Sequence, residues 1–138
     1  WNDAKIIRTV QAFRSSGLMG PGGLYTTTLY SGEQWDFPNC WPPLVEMMVE
    51  GLELLASKLK SADSNHEECV HLLEQTASEI ATNFLASAFV GWQATGLMYE
   101  KYDARYCTGQ RGFGGEYPIQ DGFGWTNGCV LVLLNKYM

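Results

Sequence analysis

The chain has 138 residues, 46% of them hydrophobic and 13% aromatic, which suits one domain with a buried core and excludes a disordered tail. Its formal net charge of −6 argues against a nucleic-acid-binding protein and against polybasic contact with a membrane, because both need basic surfaces. A neutral ligand fits this charge better than an anionic one. No apolar run is long enough for a membrane span.

Apolar residues at helical spacing predict a first helix over residues 3–15, with Asp3 as its cap and Gly17 as its stop. The helix pattern is already present at Trp1, which is not methionine, so we expect further sequence upstream. Residues 17–41 lose the helical period, and their glycines and prolines predict an irregular loop.

A second helix is predicted from Pro42–Pro43 to about residue 59, because the first turn of a helix needs no amide donors. Its predicted buried stripe is Leu44, Met47, Met48, Gly51, Leu52, Leu55 and Leu59. A solvated connection follows over residues 60–66.

The third predicted helix covers residues 67–95 and ends at Gly96. A glycine- and aromatic-rich loop occupies residues 97–128, and a short apolar helix covers 130–137. Helices paired in this way predict an all-α fold built from helical hairpins, and its two long loops are expected to be functional.

The four cysteines, Cys40, Cys69, Cys107 and Cys129, have neither Cys-x-x-Cys nor zinc-ribbon spacing. His66, Cys69 and His71 are close in sequence, but a fourth ligand is not evident. We therefore expect no metal site and no cofactor. One disulfide is possible, with partners that the spacing does not fix.

Residues 34–43 (QWDFPNCWPP) concentrate tryptophans, amides and a carboxylate. Sugars stack their C–H faces on aromatic rings and bind their hydroxyls to amide and carboxylate groups, so this composition is typical of a sugar pocket. The alternative is a tryptophan-anchored loop in which Asp36 and Asn39 cap the following helix.

Two carboxylates in the second loop, Glu100 and Glu116, lie among aromatic residues, where partial desolvation can adapt a carboxylate to acid–base work. The alternatives are a surface ion pair of Glu100 with Lys101 or Arg105, and a Glu116 side chain bonded to backbone amides.

Residues 34–43, 100–103 (EKYD), 114–117 (GGEY) and 120–128 (QDGFGWTNG), together with 21–23 (PGG), resemble in order and spacing the motifs of the trehalase family of glycoside hydrolases. The resemblance implies that residues 1–138 are the C-terminal portion of a catalytic domain shaped as an (α/α)6 toroid. It implies hydrolysis of α,α-trehalose to two glucose molecules with inversion. It also favours a secreted or membrane-anchored protein, although the segment itself carries no targeting signal.

By this resemblance Glu100 is the general base, while Glu116, Gln34, Trp35, Asn39 and Trp41 bind the disaccharide. The family's general acid is an aspartate next to a Gly-Trp-Asp sequence in an earlier segment, and no such segment occurs here. Phe113 interrupts the family's run of glycines before Glu116. Two alternatives stay open: a catalytically inactive, truncated sugar-binding or structural fragment, and another sugar enzyme on a similar toroid.

Overall fold

Four helices and two long irregular segments make up the chain in the computed structural model, which describes residues 1–62 and 65–138. The helices are α1 (Asp3–Arg14), α2 (Pro42–Lys60), α3 (Glu67–Thr95) and α4 (Gly124–Tyr137). The irregular segments carry four two-residue strands, β1 (Met19–Gly20), β2 (Gly23–Leu24), β3 (Asn39–Cys40) and β4 (Tyr102–Asp103). The structure is mostly helical, in agreement with the predicted all-α class.

The predicted helices α1, α2 and α3 agree with the structure to within about a residue, but the cap of α1 is Asn2 rather than Asp3. The Asn2 side chain accepts a hydrogen bond from the Lys5 amide at 3.0 Å. Asp3 instead lies within hydrogen-bond distance of His66, with 2.7 Å between its carboxylate and the His66 Nδ1, and this contact ties α1 to the start of α3. Gly96 ends α3 with a φ of 72°, as expected. The predicted connection over 60–66 includes residues 63 and 64, which lie outside the described residues.

Helix α4 begins six residues before the predicted start at Val130. Its first turn is rich in glycine and polar residues, so no helical spacing of apolar residues predicts it. The turn is stabilised by tertiary hydrogen bonds instead. The Thr126 hydroxyl donates to the Tyr99 carbonyl at 2.6 Å, and the Trp125 ring N–H donates to the Glu100 carbonyl at 2.9 Å.

The buried face of α2 is rotated about the helix axis relative to the predicted stripe, by about the 100° that separates neighbouring residues. Helices α2 and α3 pack as a hairpin around a core that includes Val45, Val49, Leu52, Ala56, Leu59, Leu73, Ala77, Ile80 and Phe84. Met47 is instead 66% exposed. Apolar residues cover two adjoining faces of α2, and the spacing alone does not say which face the α3 side chains cover.

Leu44, Met47, Met48 and Gly51 of the predicted stripe line an open apolar groove of about 520 Å3 together with residues of α1 and of the 18–26 segment. This groove contains no carboxylate or amide side chain. None of the described helices is long and apolar enough to cross a membrane. All four cysteines are free thiols, and the described part of the chain has no cluster of three or more potential metal ligands.

Strand pairing joins the two irregular segments to each other. Strand β3 runs antiparallel to β4, with Asn39 opposite Asp103 and Cys40 opposite Tyr102. The Ala104 amide extends this contact by donating to the Pro38 carbonyl at 3.0 Å. The two loops that the sequence separates by the whole α2–α3 hairpin therefore form one structure.

The irregular segment between α3 and α4 is held against α3 where the backbones of Gly109 and Gly91 cross in close contact. A β-carbon on Gly109 would lie 2.1 Å from the Gly91 nitrogen, and Gly109 has a φ of 64°. The Gly109 amide donates to the buried Ser87 hydroxyl at 3.3 Å. The backbone can approach the helix this closely only because neither residue carries a side chain.

Gly109→Ala should lower the free energy of unfolding by about 2–4 kcal/mol, because the new methyl group meets α3 backbone and the residue has a left-handed φ. Urea denaturation measures the change. The control is Gly128→Ala, at an exposed position of α4 where a β-carbon would meet no atom within 4 Å; it should be stabilising by about 0.5–1 kcal/mol. Equal effects of the two substitutions would contradict the glycine crossing.

Candidate functional site

Glu100 lies just before β4, on backbone that other residues hold from both sides. Its amide donates to the Gln120 carbonyl and its carbonyl accepts from the Trp125 ring, each at 2.9 Å. The carboxylate is partly exposed, and the Gln120 amide contacts it at 3.4 Å. Neither of the cations named as alternative partners forms an ion pair with it within the described chain, because Arg105 pairs with Asp103 at 2.7 Å and Lys101 binds a carbonyl group.

Trp35 and Trp41 form a stacked pair, with ring centroids 3.8 Å apart and planes inclined by 13°. Trp41 is only 2% exposed, its ring N–H donates to the Gln34 carbonyl at 3.0 Å, and Trp125 meets it edge-on. Trp35 is 49% exposed. The buried ring thus supports the exposed one, whose free face is a rigid apolar platform of the kind on which sugar rings stack.

Asn39 is fully buried, and its side-chain hydrogen bonds in the structure all go to backbone groups. Its amide nitrogen donates to the carbonyl groups of Phe113 and Asp36, and its oxygen accepts from the Phe113 amide at 2.9 Å. The residue therefore lies beneath the glycine-rich loop and anchors it. It does not cap α2, whose cap residue is Trp41 without a side-chain hydrogen bond.

Asp36 does not cap α2 either, so the alternative of a capping loop is wrong. Its carboxylate accepts hydrogen bonds from the hydroxyl groups of Ser31 and Thr27. These bonds lower the pKa of Asp36 below its ordinary value. The carboxylate organises the 27–36 loop that carries Gln34 and Trp35.

Gln34 packs directly against the loop that bears Glu116. Gly114 and Gly115 both have positive φ, and a β-carbon on Gly115 would lie 2.9 Å from the Gln34 side-chain oxygen. Glu116 itself is exposed and makes no hydrogen bond or ion pair with any other described residue. The predicted alternative, a carboxylate bonded to backbone amides, is therefore not found, and this group is available to a ligand.

Lys101 is the residue that the sequence analysis missed. It is only 1% exposed, and its ammonium group donates to the Gly114 carbonyl at 3.0 Å while lying 4.9 Å from the centre of the Trp41 ring. Burial lowers the pKa of Lys101, and the neighbouring charge of Glu100 opposes this shift. Although Lys101 lies within the EKYD motif, its neighbours in the sequence do not indicate that it is buried.

All six predicted site residues thus lie in the structure formed by the two joined segments. Glu100, Trp35, Gln34 and Glu116 have exposed or partly exposed side chains, whereas Asn39 and Trp41 support them from below. An aromatic platform beside carboxylate and amide groups suits a neutral polyhydroxylated ligand. The apolar groove of about 520 Å3 lies elsewhere, against α1 and α2, and lacks these groups.

Comparison with known proteins identifies relatives over almost the whole chain. A family model for trehalase matches residues 2–138. The chain is 40% identical over 136 residues to a probable trehalase of Oryza sativa subsp. japonica. The matched region covers 99% of this chain and 22% of the relative. It is also 40% identical to the trehalases of Tenebrio molitor over 116 residues (84% and 18%) and of Homo sapiens over 115 residues (83% and 17%). The chain therefore spans about a fifth of the length of the curated relatives it matches.

Asn39→Ala should lower the free energy of unfolding by about 2–4 kcal/mol, because it leaves the part-buried amide and carbonyl groups of Phe113 without partners and empties the buried space of the side chain. Thermal or urea denaturation provides the measurement. Asn135→Ala, at an exposed position of α4 with no described hydrogen bond, is the matched control and should change stability by less than about 0.5 kcal/mol. A loss below about 1 kcal/mol for Asn39→Ala would be inconsistent with an anchoring role.

Proposed function

This chain belongs to the trehalase family, and we propose that it forms the C-terminal portion of an enzyme that hydrolyses α,α-trehalose to two glucose molecules. The observation that carries the proposal is the stacked Trp35–Trp41 pair, in a loop whose Gln34 contacts the glycines before the exposed Glu116, in a chain with trehalase relatives. Since the chain spans about a fifth of those relatives, the activity is assigned to the complete enzyme of which this segment is part.

The proposed reaction proceeds with inversion, which requires two carboxyl groups about 6.5–9.5 Å apart so that a water molecule fits between the base and the sugar. Glu100 is the proposed base. Its partly exposed carboxylate can reach water, while hydrogen bonds to Gln120 and Trp125 fix the backbone on which it stands. A base held in this way can remove a proton from the attacking water as the glycosidic bond breaks.

The other site residues are proposed to hold the disaccharide. Trp35 offers a ring face for stacking, and the side chains of Gln34 and Glu116 can bind hydroxyl groups. The proposed contribution of Asn39 and Trp41 is to keep these groups in place from below, since both are buried.

The general acid is proposed to come from a part of the enzyme outside this segment. The acid protonates the leaving oxygen, and general acid catalysis typically contributes about 10²–10⁴-fold to the rate. The rest of the enzyme would also complete the proposed (α/α)6 toroid. The α2–α3 hairpin would contribute one pair of helices to that toroid. In this arrangement the joined loops would lie at the mouth of the ring.

The exposed Trp35 ring and the Glu116 carboxylate, which is unpaired within the described chain, also suit a second candidate, a catalytically inactive fragment that only binds sugar. The isolated 138-residue chain should release no detectable glucose from trehalose, because it lacks a general acid. A coupled glucose assay measures this, with the complete enzyme as a positive control. Turnover by the isolated chain would show that the acid lies within it, and an inactive complete protein would favour the second candidate.

Glu100→Gln in the complete enzyme should reduce kcat by about 10²–10⁴-fold with little change in KM, because the amide keeps the shape of the side chain but cannot accept the proton. Initial rates of glucose release over a range of trehalose concentrations separate the two constants. Glu50→Gln, at an exposed position on α2, is the matched control and should leave both unchanged. Full activity of Glu100→Gln would remove Glu100 as the base.

A further inference from the structure

Lys101 is a buried cation that the proposed mechanism does not use. It is 1% exposed, and every other lysine and arginine in the described chain is at least partly exposed. No carboxylate forms an ion pair with it among the described residues. Burying a charge without a counter-ion is strongly unfavourable unless other polar groups replace its lost hydration. The groups around the Lys101 ammonium therefore indicate what this residue stabilises.

Those surroundings consist of the glycine-rich loop and the buried tryptophan. The ammonium group donates to the Gly114 carbonyl at 3.0 Å and lies 4.9 Å from the centre of the Trp41 ring. The side-chain stem passes so close to Gly112 that a β-carbon there would lie 2.8 Å from the Lys101 γ-carbon. The Gly112 amide in turn donates to the Lys101 carbonyl at 3.0 Å.

Lys101 and Asn39 therefore bind consecutive residues of the same loop. Asn39 binds the amide and carbonyl groups of Phe113, and Lys101 binds the carbonyl group of Gly114. Beyond these bonds the backbone passes through Gly115, with a φ of 93°, before it reaches Glu116. Glycines sample a wide range of conformations, so the last side-chain bond before Glu116 limits how far this carboxylate can move.

We infer that Lys101 is a positioning residue of the proposed trehalase site, where its ammonium group ties the segment that bears Glu100 to the loop that bears Glu116. The inference rests on the proposed function for its kinetic consequence. The residue adjoins Glu100 in sequence and holds the backbone two residues before Glu116. One side chain thus sets where the sugar-binding carboxylate stands relative to the base.

Lys101→Met in the complete enzyme tests this role, because methionine keeps an apolar stem of similar length but cannot donate to Gly114. KM for trehalose should rise at least about tenfold while kcat stays within about threefold, since Glu116 is displaced and the backbone of Glu100 keeps its bonds to Gln120 and Trp125. A merely structural defect would reduce the fraction of folded enzyme, which lowers apparent kcat and leaves KM unchanged. Lys101→Arg keeps a cationic donor and should recover most of the affinity. The matched control, Lys58→Met, removes an exposed lysine from α2 and should have no effect.

Hydrogen–deuterium exchange gives a second readout that does not depend on activity. Lys101→Met should accelerate exchange in peptides covering residues 112–117 and leave those from α2 and α3 unchanged. Unchanged exchange in 112–117 would overturn the inference. If Lys101→Met does not fold, Lys101→Leu, which also lacks a donor, compared with Lys101→Arg makes the same distinction.

Glu116→Gln separates failure of this inference from failure of the proposed function. If Glu116→Gln raises KM and Lys101→Met does not, Lys101 does not position the site and the inference is wrong. If neither substitution raises KM although the loop exchanges faster, the proposed sugar-binding role of Glu116 is what fails, and the positioning role is overturned with it.

Discussion

The candidate site depends on one short contact, the antiparallel pairing of β3 with β4. Glu100 and Lys101 lie just before β4, while Trp41 directly follows β3 and is the cap residue of α2. A two-residue ladder contributes few hydrogen bonds, so its stability comes from burial. Cys40 and Tyr102 face each other in the pairing with no exposed surface, and Phe84 of α3 packs edge-on against the Tyr102 ring. The α2–α3 hairpin thus holds the strand pair, and the strand pair brings together two loops that are distant in sequence.

The joined loops are irregular but well anchored, because each close approach of their backbone is matched by a glycine or a buried polar group. Gly109 crosses Gly91 at a distance that excludes any side chain, and Ser87 accepts the amide that the crossing buries. Asn39 and Lys101 do the same for the segment before Glu116. Buried backbone groups need partners wherever regular structure does not supply them. Here single side chains supply them, which lets the exposed ends of the loops stay free for a ligand.

The sequence predicts the long helices well because their signals are local: Pro42 starts α2, Gly96 ends α3, and apolar residues recur between them. It fails where tertiary contacts decide. The first turn of α4 depends on bonds to the segment before β4, and the buried face of α2 depends on the packing of α3. The same limit applies to the site. Motifs identify Trp35 and Trp41 as a pair, but only the fold reveals that one ring supports the other, and composition cannot tell buried Lys101 from an exposed lysine.

The charges around the site fit the proposed reaction in a specific way. Arg105 is paired with Asp103 and Arg111 with Asp121, while the Lys101 cation is directed into the interior. Within the described chain, the carboxylates of Glu100 and Glu116 are left without an ion-pair partner. Such a surface disfavours anions and suits the neutral sugar of the proposed reaction. Glycoside hydrolysis passes through a transition state with positive charge on the sugar ring, which nearby carboxylates stabilise more strongly than they stabilise the neutral substrate. Pairing either carboxylate with a local cation would weaken that preference, and in the structure Arg105, Arg111 and Lys101 all bind other groups.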